Sequence, residues 1–128
     1  MKDICIEDNA KIEMLPQIGE ILGVAGVNIE GLCFTKLQNK MVLHFAVEDD
    51  HKARCVIEDA GVKIKKISEV YVICKDKIRI TGKPGSFGQI FKALIDQGIK
   101  INFGYPAENN RFVIGSDEIN KIQNILEP

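Results

Sequence analysis

Two hydrophobic periods alternate along the chain, and each marks a different element. Near the start, Ile4 and Ile6 stand among polar neighbours, the period-two signature of a short strand. Leu15, Ile18, Ile21, Leu22 and Ala25 recur at spacings of three and four, which gives a helix one apolar face. Gly26 ends it as a residue able to take positive φ. Val27–Thr35 and Met41–Glu48 read as strands, with Leu37–Lys40 as the turn between them. Asp49 or Asp50 caps a second helix, whose apolar positions are Ala53, Val56, Ile57 and Ala60 and which Gly61 stops. Val62–Ile67 and Val70–Cys74 are extended. The apolar phase slips at Lys65 and Lys66, predicting a bulge or two separate strands.

The second half repeats the scheme. Lys77–Thr81 alternates cleanly and predicts a strand. A helix from Ser86 to Gln97 turns Phe87, Ile90, Phe91 and Leu94 inward, and Ser86 and Gln89 have capping-box spacing. Ile99–Tyr105 and Arg111–Gly115 pair as a hairpin across a breaker-rich turn, Gly104–Asn110. Asp117–Leu126 closes with Ile119, Ile122, Ile125 and Leu126 as its stripe. Displaced by 72 positions, the sequence matches itself: Ile6 falls on Ile78, Lys11 on Lys83, Ile18 on Ile90, Leu22 on Leu94, Gly26 on Gly98 and Ile29 on Ile101. Leu15 with Phe87 and Val27 with Ile99 fill the gaps.

The expected fold is therefore α+β, two ferredoxin-like βαββαβ units covering 1–74 and 75–128, each an antiparallel sheet with helices on one face. Only Glu127 and Pro128 follow Leu126, so the second unit lacks a fourth strand of its own. Its open edge invites another strand, and a homodimer is expected.

A length of 128 residues suits one core or two small ones. Seventeen Lys and Arg against 18 Asp and Glu give a net charge of −1, which argues against a nucleic-acid binder. No apolar run approaches the roughly 20 residues that cross a bilayer. Met1–Asp8 has no apolar core of a signal peptide, so a cytoplasmic location is expected. Cys5, Cys33, Cys55 and Cys74 form no C-x-x-C pair and read as reduced, mostly buried thiols. His44 reads as a solvent-side strand residue and His51 as part of a solvated helix start. Their spacing matches no zinc motif, so neither metal nor cofactor is expected. Lys63, Lys65 and Lys66 read as solvated guards of a strand edge. Phe103 and Tyr105 share a strand face and read as packing residues.

Gly82-Lys83-Pro84-Gly85-Ser86-Phe87, then Ile90 and Leu94, then Gly98-Ile99-Lys100-Ile101, resembles an ACT domain. Members of that family show Asn-x-Pro-Gly-x-Leu opening the first helix and Gly-Val-Asn-Ile opening the second strand. The first copy supplies Gly26-Val27-Asn28-Ile29-Glu30-Gly31-Leu32. The resemblance covers nearly the whole chain as a tandem pair. It implies a regulatory sensor of a small ligand, often an amino acid, and not an enzyme. A protein partner under its control is also implied.

Simple chemistry agrees with a ligand loop. Pro84 fixes φ, Gly85 lets a ligand approach the backbone, and the helix start at Ser86 offers N–H donors and a positive dipole end to a carboxylate. A tight turn binding nothing is the other reading. The copies depart from the family in opposite ways. The first has Ala10-Lys11-Ile12-Glu13 in place of Asn-x-Pro-Gly but keeps Asn28. The second keeps Pro84-Gly85 but has Gly82 and Lys100 where the family has Asn. In family pairs a ligand touches the loop of one unit and the second strand of its neighbour. The expectation is one good site, from Gly82, Lys83, Pro84, Gly85, Ser86 and Phe87 with Asn28 and Ile29, and one dead site. The alternative is an assembly module that works without ligand.

Overall fold

The computed structural model describes residues 1–9 and 13–128 of the chain. They form two compact units, Met1–Ser68 and Glu69–Pro128. Among the described residues are four helices and six strands, and the strand pairs within each unit are antiparallel. The chain is an α+β protein, as its two hydrophobic periods predict.

The first unit runs β1 (Lys2–Asp8), α1 (Met14–Val24), β2 (Gly31–Leu37), β3 (Lys40–Val47) and α2 (Asp50–Asp59). β3 lies between the other two strands. Ile4 and Leu32 both face Phe45, and Ile6 and Phe34 both face Leu43. Period-two alternation puts Ile4, Ile6, Leu43, Phe45 and Val47 on one face. There they pack with Ile18 and Leu22 of α1 and Ala53 and Ile57 of α2. Each fully buried Ile, Leu or Phe of this layer contributes about 1.5–3 kcal/mol. Pro16 sits in the first turn of α1, where no amide is needed for the helix ladder. Asp49 caps α2, its carboxylate accepting from the Lys52 amide at 3.0 Å.

β4 (Lys66–Cys74) begins in the first unit and continues into the second. There Val70–Cys74 pairs with β6 (Arg111–Gly115), whose other side pairs with β5 (Phe103–Ala107). α3 (Ser86–Asp96) and α4 (Ile119–Leu126) complete the unit. Ile73, Ile114, Ile90, Leu94 and Ile122 form its buried core. Ser116 secures the entry to α4: its hydroxyl donates to the Lys100 carbonyl at 2.7 Å and accepts from the Glu118 amide at 3.1 Å.

Several sequence expectations change. Lys77–Thr81 is not a strand. Ile78, Arg79 and Ile80 donate their amides to Cys74, Asp76 and Lys75, so the donors a sheet would need are spent locally in successive turns. Arg79 is left-handed at φ 59. It is β4 that pairs with β6 on the side away from β5. No second strand forms at Val62–Lys65, and β4 is continuous from Lys66; ahead of it the Lys65 amide donates to the Cys5 carbonyl at 2.9 Å. The second and fifth strands start later than the apolar pattern suggests, because Val27 and Ile99 give their amides to the preceding helices. Of the four free cysteines only Cys5 is buried; Cys33 and Cys74 are half-buried and Cys55 is exposed.

Gly115 faces Phe103 across the β5–β6 ladder, and a Cβ at that position would overlap the Phe103 ring. We predict that Gly115→Ala destabilises the protein by about 1–3 kcal/mol, the usual cost of overpacking. Urea melts should show a much smaller loss for the same change in a Phe103→Ala background.

Candidate functional site

The Gly82–Phe87 loop is a built element. Gly82 and Gly85 are both left-handed, at φ 70 and φ 83, conformations that a Cβ penalises. Gly85 is itself the cap of α3. This corrects the capping-box expectation, because Ser86 lies one residue inside the helix. Its buried hydroxyl donates to the Lys83 carbonyl at 2.8 Å, and its amide donates to the same oxygen at 3.3 Å. The Ser86 amide, expected to face a ligand, is thus already taken. The next amides of the first turn, those of Phe87 and Gly88, have no protein acceptor among the described residues. Gly82 to Gly85 are exposed.

A side-chain knot holds the base of this loop. The Asp76 carboxylate accepts from the Thr81 hydroxyl at 2.6 Å and from the Asn110 amide at 2.8 Å. Asn110 also donates to the Thr81 hydroxyl at 2.7 Å, while its carbonyl accepts from the Lys75 amide at 3.1 Å. The Thr81 and Asn110 donors hold the Asp76 carboxyl below the usual carboxylate range. Asn109 and Asn110, both left-handed, form the β5–β6 turn, so the hairpin end clamps the loop. At the other end Phe87 is fixed by Phe112 and Phe91, with ring centroids 4.8 and 6.0 Å away, and by the Lys75 ammonium 5.4 Å from its ring. Sequence reasoning missed Asp76, Thr81 and Asn110. The Asn109-Asn110 pair inside a turn was the available signal.

The other predicted residues lie in the first unit. Asn28 is exposed, and its amide donates to the Glu30 carboxylate at 3.2 Å. Ile29 is half-buried against the first core and offers no polar group. Ala10, Lys11 and Ile12, the altered loop of the first copy, lie outside the described residues. Glu13, which follows them, is exposed. Two clefts of about 440 Å³ each lie at the end of β1, and both are lined by Glu7, Asp8 and Lys63. One adds Lys40 and Lys65, the other Met14 and Gln17 of the first turn of α1. Lys65 bonds Glu7 at 2.7 Å and so holds that carboxyl below its ordinary range. None of Gly82–Phe87 lines either cleft.

His44 corrects a further expectation. It lies on the sheet face away from the helices, but its side chain keeps only 17% of its surface and Nδ1 bonds the Asp3 carboxylate at 2.9 Å. Asp3 is 1% exposed. His44 Nε2 lies 3.8 Å from the Cys5 sulfur. Hydrogen bonds to Asp3 first, and then to Cys5, raise the imidazole from 6.5 to about 10. Cross-strand register, invisible in the sequence, makes this row. Among the described residues no group of three His, Cys, Asp or Glu could hold a metal ion. No described helix is long and apolar enough to cross a membrane.

No family model matches the chain, and no curated protein matches it in sequence. Solved structures do match its fold. A Bacteroides thetaiotaomicron protein aligns over 98% of this chain and 85% of its own, at 24% identity and a TM-score of 0.81. The regulatory subunit of aspartate kinase from Thermus thermophilus, in a ligand-free form, aligns over 98% of this chain and 89% of its own, at 12% identity and a TM-score of 0.71. The aspartate kinase of Clostridium acetobutylicum, described as an allosteric enzyme, aligns over 98% of this chain and 31% of its own, at 17% identity and a TM-score of 0.60. The chain therefore shares the fold of the aspartate kinase regulatory subunit from Thermus thermophilus.

Two outcomes follow from these contacts. Asn110→Ala removes both amide bonds at the loop base and should cost about 1–2 kcal/mol, with faster hydrogen exchange confined to residues 76–85. Because the imidazole is raised in the folded state, the stability contributed by Asp3 and His44 is complete below about pH 6.5 and is lost as pH rises towards 10. Urea midpoints should fall over that window in the native protein. Asp3→Asn, which removes the charge that favours the imidazolium, should lose about 1–3 kcal/mol at pH 6 and flatten the dependence.

Proposed function

We propose that the chain is a regulatory protein that binds a small ligand, an amino acid, through two ACT-type, ferredoxin-like repeats, and that it has no catalytic activity of its own. The fold shared with a regulatory subunit of aspartate kinase over 98% of the chain is the observation that carries this reading. The loop chemistry gives it a mechanism. An α-carboxylate meets the unpaired Phe87 and Gly88 amides, where the positive end of the α3 dipole adds to the attraction. Gly85 admits the ligand to the backbone, Pro84 limits the loop's freedom before binding, and Lys83 supplies a nearby positive charge. Because Asp76 and Asn110 already order the loop, little entropy is lost when the ligand docks. Asn28 is assigned to the remaining polar group of the ligand, exchanging its bond to Glu30 for one to the guest. Signalling to a controlled protein then follows from the ligand's preference for one conformation.

One observation favours assembly as a second reading. Leu32 and Phe34 of β2 remain 44% and 50% exposed, large apolar side chains on a strand. A homodimer using them would melt at a temperature that rises with protein concentration and ignores amino acids.

Isothermal titration with the twenty amino acids decides. One of them should bind at one equivalent per chain and raise the melting temperature. Gly85→Ala and Asn28→Ala should each weaken it about tenfold, equivalent to about 1.4 kcal/mol. No binding by any amino acid overturns the sensor reading. Two equivalents per chain, or full affinity in Asn28→Ala, overturns the single site.

A further inference from the structure

The row formed by Asp3, His44 and Cys5 has no part in ligand binding, yet it is arranged like a working group. We propose that Cys5 is a thiol activated by His44 and is a modification site for a small hydroperoxide. Register builds the row. Cys5 of β1 lies directly opposite His44 of β3, and Asp3 lies one pleat along on the same face. The Asp3 carboxylate is buried, and a buried carboxylate needs a charged or donating partner. His44 Nδ1 supplies it at 2.9 Å. The ring is thereby fixed and favoured in its protonated form, and its Nε2 lies 3.8 Å from the Cys5 sulfur. A cation so placed favours the thiolate, the reactive form.

The surrounding charges have been placed as well. Glu7, one pleat further along β1, is neutralised by Lys65 at 2.7 Å and Lys40 at 3.9 Å. Cys33 of β2 faces His44 from the other side. Its thiol is pushed up by burial and by the charges of Asp3 and Cys5, so it stays protonated and the reactive thiol is Cys5. Two strand spacings, about 9–10 Å, separate the two cysteines. That exceeds the reach of a disulfide, about 7 Å between Cα atoms, so oxidised Cys5 persists without closing on Cys33. Cys5 keeps 8% of its surface, which suits a reagent scarcely larger than water.

The step balances. The Cys5 thiolate attacks one peroxide oxygen, the S–O bond forms and the O–O bond breaks. The leaving hydroxide takes the Nε2 proton of His44 and departs as water. Sulfur loses two electrons to the peroxide, and Cys5 becomes a sulfenic acid.

The chain carries its own control. Cys55 lies 3.9 Å from His51 Nε2 and is exposed, but among the described residues no carboxylate stands behind that imidazole. Native protein is treated with hydrogen peroxide and a sulfenic-acid trap, or with iodoacetamide from pH 5 to 10, and each cysteine is followed by peptide mass spectrometry. Cys5 should be trapped first, and at pH 7 it should be alkylated about tenfold faster than Cys55 although Cys55 is the exposed one. His44→Asn should slow the Cys5 reaction about tenfold and leave that of Cys55 unchanged. Preferential reaction of Cys55, a silent Cys5, or a Cys5 rate unchanged in His44→Asn would each overturn the proposal. The comparison within the native protein stands even where the variant fails to fold.

Discussion

An α-helix leaves its last carbonyls without partners, and this chain resolves that deficit three times in one way. Gly26, Gly61 and Gly98 follow α1, α2 and α3, at φ 73, 81 and 77. In each case the glycine amide bonds the carbonyl three residues back, and the following amide, from Val27, Val62 or Ile99, bonds the carbonyl five back, on Leu22, Ile57 or Leu94. The two residues joined by the longer bond are apolar, and both pack into the unit's core. Each reversal therefore ends a helix and drives the outgoing chain into the interior. The direction of β2, β5 and the segment before β4 depends on it. Any other residue at those glycines would hold its Cβ in a left-handed conformation that L-residues rarely adopt.

The sheet of the first unit divides its chemistry by face. The face under α1 and α2 is hydrocarbon and supplies stability. The opposite face carries Asp3, Cys5, Glu7, Cys33 and His44, and its order comes from charge and hydrogen bonds. A slip of one residue between β1 and β3 would exchange the two sets and bury carboxylates beneath the helices. Register is thus fixed from both sides of the sheet, by what must be inside and by what must be paired.

How far the sequence foretold this varies with the distance over which each feature is determined. Helix spans, a cap at Asp49 or Asp50 and the stops at Gly26 and Gly61 were legible because they are local. Val27 bonding Leu22 and Ile99 bonding Leu94 are the same contact at an offset of 72 positions. Lys77–Thr81 misled because alternation alone does not show where amides will bond; Asp76, Arg79 and Gly82 turned that segment back on itself. The turn into α3 was legible in its Pro-Gly, but the occupant of the Ser86 amide was not. The pairing of His44 with Asp3 spans 41 residues and is set wholly by register, which no local pattern carries.

The β5–β6 turn places two demands on a single residue. Asn110 holds a left-handed backbone at φ 56, a geometry that glycine would satisfy at lower strain. Yet its carboxamide is also the strap across Asp76 and Thr81. A change to glycine would ease the hairpin while untying the neighbouring loop, and a larger polar residue would do the reverse. Hairpin and loop are therefore heritable only together: drift in one is checked by the other, at a position where a mutation that relaxes the turn would quietly loosen its neighbour.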